Sequence, residues 1–367
     1  MYRVIMGDMQ GSGKDWNRRE WFASALAASA MAAPTKLPHK IRIAVIGQDG
    51  HLGDILSPLP QLPDVEVVAY SDTSAAALAS LGKKIKNDQA RGFLDQRKML
   101  DESKPDLVAV VNDDGARAGA VLETLQRGIH CIAEKPLAIT RSDLDKVKRA
   151  ARNSKGKLSM LLPLRFAPQF LAMRQVIDSG EIGDVLLLGG QKSYKRGASS
   201  DWKNKRSSYG STMLWIGPHL VDLFYFTGRI KMTEAFCWQT NVKDPALGDR
   251  ENVVGGVFRL ANGGIAELRM DYLRPDIAPT HEDDRLRVAG TKGVVEYTAA
   301  TGVTVISNDS KPRRIDALPP AGSVFVDFLD TIYNGKPGAL TVEEVFHVSD
   351  VIQAADDSSR SGRAVKV

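Results

Sequence analysis

The sequence predicts an α/β protein. A doubly wound parallel sheet comes first, and a second α/β domain whose strands pair mostly antiparallel follows it. Three observations predict this. Residues 40–46, Lys-Ile-Arg-Ile-Ala-Val-Ile, form a β-branched apolar run that ends in a glycine-rich turn. From there strand-like and helix-like segments alternate to about residue 165. Beyond that point short β runs succeed one another without intervening helices, which argues for antiparallel pairing.

The first run reads as a strand buried on both faces. It leads into Gly47-Gln48-Asp49-Gly50-His51-Leu52-Gly53, then a helix over 54–62, a strand over 65–70 and the acidic Asp72. Glycines at such a turn let the backbone approach a pyrophosphate at the helix N-terminus. Asp72, nineteen residues beyond Gly53, is placed to accept from ribose hydroxyls. A 2′-phosphate would meet a like charge there, which favours NAD and leaves NADP as the alternative. The turn is G-x-x-G-x-x-G, with Asp49 where a second glycine often falls. Further strands are expected at 106–111, 129–133 and 157–164, with helices at 116–127 and 142–153. The alternation implies one parallel sheet over residues 40–165. Residues 47–53, Asn112, Asp114, Glu134 and Lys135 fall at its carboxyl edge, where such sheets bind ligands.

Residues 166–367 make the second domain. Its β runs are 184–188, 235–239, 255–260, 265–272, 286–288, 294–297 and 303–306, and Asn262-Gly263-Gly264 is a hairpin turn signal. At 367 residues, two domains are expected. The 49 basic and 44 acidic residues nearly cancel, so the net charge of +5 gives no reason to expect nucleic-acid binding. No apolar run is long enough for a membrane span. The two cysteines exclude a disulfide framework, and Cys131 reads as inert packing in a core strand. His281-Glu282-Asp283-Asp284 reads as a solvated charged loop, not a metal site.

The N-terminal residues read as an address. Arg18-Arg19 precedes the alanine-rich run 23–33, with Ala-x-Ala sites at Ala28-Ser29-Ala30 and Ala30-Met31-Ala32. This pattern is that of a twin-arginine export signal over residues 1–33, and it implies a periplasmic or otherwise exported protein. Gly11-Ser12-Gly13-Lys14 is not a phosphate loop, because Asp15 stands where Ser or Thr is required.

Glu134-Lys135-Pro136 after a core strand, with the glycine turn before it, resembles the Gfo/Idh/MocA oxidoreductase family. Arg165-Phe166-Ala167-Pro168, the run 177–184, Gly217-Pro218-His219-Leu220-Val221-Asp222, the run 290–296 and the Ser358-x-x-x-Gly362-Arg363-x-Val365 ending fit the same pattern. The resemblance implies a Rossmann domain, then an α/β domain with a large, mostly antiparallel sheet. It implies redox chemistry on a sugar, sugar acid or cyclitol, and homo-oligomers associating through the second sheet.

Within that resemblance, Lys135, His219 and Asp222 are the expected catalytic residues. Lys135, beside a positively charged nicotinamide and partly desolvated, should have a lowered pKa suited to a proton relay. His219, placed after Gly217-Pro218 in a helix's first turn, should stay neutral and act as general acid/base. Asp222 shares its helical face and would hold a substrate hydroxyl or Lys135. Arg165, Trp202, Lys203 and Trp215 join these three as expected substrate-binding residues. Two departures from the family stand out. Trp215 occupies a position where many relatives have an aspartate, and Asn112-Asp113-Asp114 replaces their Thr-Pro-Asn. Trp215 stacks on a sugar face or fills space. These departures motivate the alternative of a non-catalytic or redox-neutral sugar-binding protein.

The segment 192–210 carries Lys192, Lys195, Arg196, Lys203, Lys205 and Arg206 with interleaved aromatics. It reads either as a loop binding an anionic or polyhydroxylated sugar or as a solvated loop or subunit contact. Export of a folded protein further implies a tightly held NAD, loaded before export.

Overall fold

The computed structural model describes residues 36–197 and 201–367. The expected export signal, residues 1–33, lies outside them. The first sheet has six strands: β1 (Ile41–Ile46), β2 (Val65–Ser71), β3 (Arg91–Phe93), β4 (Leu107–Val110), β5 (His130–Ala133) and β6 (Leu158–Met160). They run parallel in the order β3-β2-β1-β4-β5-β6. Between them lie α1 (Leu52–Leu56), α2 (Ala75–Ile85), α3 (Gln96–Ser103), α4 (Asp114–Gln126) and α5 (Arg141–Asn153). Every residue of β4 and all but Arg42 of β1 are buried, as expected of strands covered on both faces. The chain winds one way from β1 to β3 and the other way from β4 onward. A crevice therefore opens at the carboxyl ends of β1 and β4.

The expected helix over 54–62 stops early. Pro58 and Pro60 lack the N–H that would continue it, and a short 3₁₀ turn, Leu59–Gln61, takes its place.

α6 (Pro168–Asp178) leads to a nine-stranded sheet. Its strands are β7 (Val185–Lys195), β8 (Met232–Thr240), β9 (Val253–Leu260), β10 (Ile265–Arg274), β11 (Glu282–Gly290), β12 (Gly293–Thr298), β13 (Gly302–Ser307), β14 (Ser310–Ile315) and β15 (Val365–Lys366). The order is β14-β13-β12-β11-β7-β10-β9-β8-β15, antiparallel throughout the described residues except between β7 and β10. α7 (Arg206–Tyr209) and α8 (Thr212–Gly228) connect β7 to β8, and α9 (Val324–Tyr333) and α10 (Val342–Ser361) follow β14.

Two expectations are corrected here. β7 does not end at Leu188 but runs on through Gly189 and Gly190 to Lys195, so Lys192 lies in a strand and not in a loop. The acidic run 281–284 is not a loop either, although His281 and Glu282 stay exposed as expected. Glu282 to Asp284 open β11 opposite β7, and Asp284 takes the buried Lys192 ammonium at 2.6 Å.

α10 returns to the first sheet's domain. Gln353 donates to the Ala138 carbonyl at 2.9 Å, Lys148 pairs with Asp350 at 2.6 Å and Arg141 with Asp357 at 2.7 Å. These bonds span the junction between the two sheets' domains, next to the site described below.

Candidate functional site

The turn after β1 sets the geometry. Gly47 has φ +81°, and a Cβ there would lie 2.5 Å from the Asn112 Cα at the end of β4. Only glycine permits both the backbone angle and that approach. The Asp49 N–H then donates to the Val111 carbonyl at 2.7 Å, tying the turn to β4. Leu52 anchors α1 in the core. Glu134, fully buried, rises beneath Gly50, and its carboxylate receives His51 Nδ1 at 2.7 and 3.0 Å. Despite burial, His51 and then Lys135 and Arg117 hold the Glu134 carboxyl below its ordinary pKa.

The edge fits the dinucleotide expected from the sequence. A Cβ on Gly53, at the start of α1, would meet nothing within 4 Å, which leaves room for a phosphate at that helix end. Asp72 stands half-buried at the end of β2, held by Gln48 Nε2 at 3.2 Å and the Thr73 N–H at 2.7 Å. The buried Asn112 Oδ1 has no hydrogen-bond partner among the described residues.

Asp114 serves differently from expectation. It is fully buried and paired with Arg117 at 2.7 Å, and burial, against Arg117 and Lys135, raises its pKa to about 7. Arg117 also donates to the Asn112 carbonyl and, at 3.0 Å, to the Pro136 carbonyl. It thus clamps the ends of β4 and β5. Nothing in the local sequence distinguishes this arginine from a surface residue of α4.

Lys135 is 2% exposed. Its ammonium donates to the Trp215 carbonyl at 2.6 Å, sits 3.4 Å from the centre of the Trp215 ring and lies 3.7 Å from Glu134. Burial, opposed by Glu134 and Asp114, pushes its pKa down to about 8.

His219 comes from α8, but not from its first turn. Ser211 caps that helix, Thr212 begins it, and Pro218 lies inside it, so the expected helix-dipole effect does not apply. His219 is neutral for another reason. Burial first, then the Lys135, His51 and Lys192 charges, holds its pKa well below the ordinary value. Its ring lies edge-on to His51, with centroids 5.0 Å apart, and its Nδ1 has no partner among the described residues.

Arg165 and Asp222 do not face this group. Both are 1% exposed, and they bind each other, with Arg165 Nε 3.1 Å from Asp222 Oδ2 and Nη2 on Oδ1. Arg165 also reaches the Ala339 carbonyl at 2.5 Å and Glu344 at 3.0 Å. Asp222 therefore neither holds Lys135 nor offers an oxygen to a hydroxyl. Two buried opposite charges are more stable paired than apart.

The segment after β7 closes the site. Trp202 donates to Asp49 at 3.2 Å and packs edge-on to Trp215 at 5.6 Å. Lys203 stands 4.7 Å over the opposite partner, the Trp215 ring. A cavity of about 410 Å³ lies between the two domains' elements and is lined by His51, Lys135, Lys203, Trp215 and His219. Tyr194, one of the aromatics interleaved in the basic segment, also lines it, as do Arg250, Tyr272 and His281, which sequence reading missed. The alternation Lys192-Ser193-Tyr194-Lys195 was the available signal that Tyr194 lies in a strand. Of the six basic residues expected at the substrate, Lys195, Arg196 and Lys203 line the cavity. Lys192 is spent on Asp284, and Arg206 on Glu251 at 2.5 Å.

Residues 41–161 match the oxidoreductase family with an NAD-binding Rossmann fold, and residues 170–296 match the GFO/IDH/MocA C-terminal domain. The chain is 26% identical over 317 residues to the inositol 2-dehydrogenase of Salmonella typhimurium, covering 82% of this chain and 86% of that one. It is 27% identical over 250 residues to the D-glucoside 3-dehydrogenase of Escherichia coli, covering 63% and 70%. An oxidoreductase structure from Thermotoga maritima superposes with a TM-score of 0.85 at 29% identity, over 89% of this chain and 100% of that one.

Proposed function

Because the chain belongs to the Gfo/Idh/MocA oxidoreductase family, we propose that it is an NAD-dependent oxidoreductase acting on a secondary alcohol of a sugar, sugar acid or cyclitol. Its first domain is an NAD-binding Rossmann domain. The observation that carries the reading is one cavity reached by an amine from the end of β5 and an imidazole from α8. Inositol and glucoside dehydrogenases among its relatives support the substrate class.

Residues 47–53, Asp72 and Asn112 would hold the cofactor, which supplies a hydride acceptor when bound. Lys135, with a pKa of about 8, exchanges a proton near neutral pH and is the better base of the two. His219 remains neutral and offers a hydrogen bond to the substrate oxygen or takes up its proton. Trp215 lines the cavity and covers the Lys135 ammonium, and Trp202 packs edge-on against Trp215. Absorbance at the reduced-nicotinamide band, after polyols are added to the protein with NAD, tests this. Loss of the signal in Lys135→Ala and in His219→Ala is the expected result.

One observation favours a second reading. The Lys135 ammonium is already engaged by the Trp215 carbonyl and ring, as a sugar-binding protein without turnover would tolerate. Single-turnover reduction of bound NAD separates the two.

Export of the chain through a twin-arginine signal over residues 1–33, with NAD loaded beforehand, is part of the same proposal. Arg18-Arg19 and the alanine run after it support export. Retention of an Arg18→Lys, Arg19→Lys variant in the cytoplasmic fraction tests it, and denaturing the mature protein to release NAD tests the loading. Self-association is supported by Leu187, Val257 and Ile265, which are exposed on the second sheet. Light scattering of Val257→Glu against the parent chain tests it.

A further inference from the structure

We propose that the cavity takes an anionic polyhydroxylated substrate, a sugar bearing a carboxylate or a phosphate. This rests on the oxidoreductase reading of the same site and narrows its substrate class. The charged wall consists of Lys135, Lys195, Arg196, Lys203 and Arg250 against one carboxylate, Glu282.

The protein's own acids compensate only part of this charge. Glu134 lies 3.7 Å from Lys135, and Asp244 lies 3.3 Å from Arg196. Glu282 itself leans toward Lys192, at 3.4 Å. Lys195 and Lys203 make no ion pair among the described residues. Lys203 instead rests on aromatic faces, 4.7 Å from the Trp215 ring centre and 5.4 Å from that of Trp202. Burial outweighs its attraction to Asp49 and Asp114 and disfavours its charge.

A cluster of like charges in a half-enclosed space repels itself, and an incoming anion relieves that repulsion. Charge-assisted hydrogen bonds from ammonium groups to carboxylate or phosphate oxygens are about twice as strong as neutral ones. A neutral polyol would fill the same space and leave Lys195 and Lys203 without a counter-charge. The volume, about 410 Å³, is in the range of small-molecule sites. Tyr194, Tyr272 and Trp215 supply the apolar faces that a sugar ring needs.

The test is equilibrium binding to the full protein with NAD present, followed by tryptophan fluorescence. The probes are D-glucuronate, its neutral amide, glucose 6-phosphate and glucose. At least one anion should bind roughly tenfold or more tightly than its neutral counterpart, with the preference shrinking as salt is raised. Lys195→Gln and Lys203→Gln, singly and together, should cut that preference to within about threefold. A lead for glucuronate assigns a carboxylate, and a lead for the sugar phosphate assigns a phosphate. Equal binding of charged and neutral partners, no binding of either anion, or a preference that survives the double substitution and high salt would overturn the proposal. Absorbance of reduced NAD, read in the same cuvettes, keeps the two readings apart. Preferential anion binding without any reduction sinks the oxidoreductase reading alone.

Discussion

His51 Nδ1 lies 2.7 Å from the Glu134 carboxylate, and that carboxylate is also 3.7 Å from the Lys135 ammonium. The cofactor turn and the Glu-Lys-Pro motif thus share one buried charge. Glu134 raises the Lys135 pKa against burial, so Glu134→Gln removes that support and lowers it further. If Lys135 is the base, the alkaline rise of kcat/KM for alcohol oxidation runs through about pH 8 in the parent protein. It moves to lower pH in Glu134→Gln. Trp215→Asp places a carboxylate beside the amine and moves the rise to higher pH. Opposite displacements in pH–rate profiles are the expected outcome, and displacement in one direction by both variants contradicts the assignment.

His51 faces His219 at 5.0 Å and contributes to holding its pKa down. Removing that neighbour in His51→Ala therefore raises the His219 pKa. A histidine NMR titration of the cofactor-free protein measures this directly. A His219 resonance that titrates unchanged after the substitution would place the two rings out of electrostatic contact.

Lys135 is held in the folded state with its pKa lowered from 10.5 to about 8. The unfolded chain then binds the proton more tightly, so this group contributes instability that is fully present below pH 8 and fades as pH rises toward 10.5. Lys135→Met should therefore stabilise the protein at pH 7 by up to about 3 kcal/mol while abolishing turnover. Urea denaturation at pH 7 reads the gain, and a loss of stability there would contradict the strain assigned to this amine.

The parts of the site that could be read in the sequence are those built from neighbours along the chain. The turn 47–53, Asp72 and Glu134-Lys135-Pro136 follow strands whose apolar runs are visible, and the fold places all of them at one edge. What escaped was pairing across the fold. Arg165 meets Asp222, and Lys192 meets Asp284, over sequence separations that no local pattern records. β7 looked short because two glycines interrupt its apolar run. Gly190 has its own reason, since a Cβ there would lie 2.8 Å from Phe224 and Leu220 of α8. The glycine marks where a helix presses on a strand, not where the strand ends.

The Arg165–Asp222 pair is structural, and its loss should show in stability more than in substrate affinity. Removing one member of a buried pair costs roughly 3–5 kcal/mol because the other charge is left uncompensated. Asp222→Ala should lose that much in chemical denaturation. The fraction that remains folded should keep a KM within about threefold of the parent, since Asp222 lies off the cavity wall. A large KM change at unaltered stability would return Asp222 to the substrate.

The two outer glycines of the turn should respond oppositely to alanine. At Gly47 a Cβ would collide with the Asn112 backbone at 2.5 Å, and φ is +81°, so Gly47→Ala disrupts the contact between β1 and β4 and destabilises the fold. At Gly53 the methyl group meets nothing within 4 Å, and the residue lies in the first turn of α1. Gly53→Ala should therefore leave the cofactor-free protein as stable or up to about 1 kcal/mol more stable, by helix propensity. The same methyl group would occupy the space left for the pyrophosphate, so NAD affinity should fall by roughly tenfold or more. Thermal denaturation without cofactor, paired with a fluorescence titration of NAD, separates the two effects. A Gly53→Ala protein that binds NAD as tightly as the parent would mean that the phosphates do not lie at the start of α1.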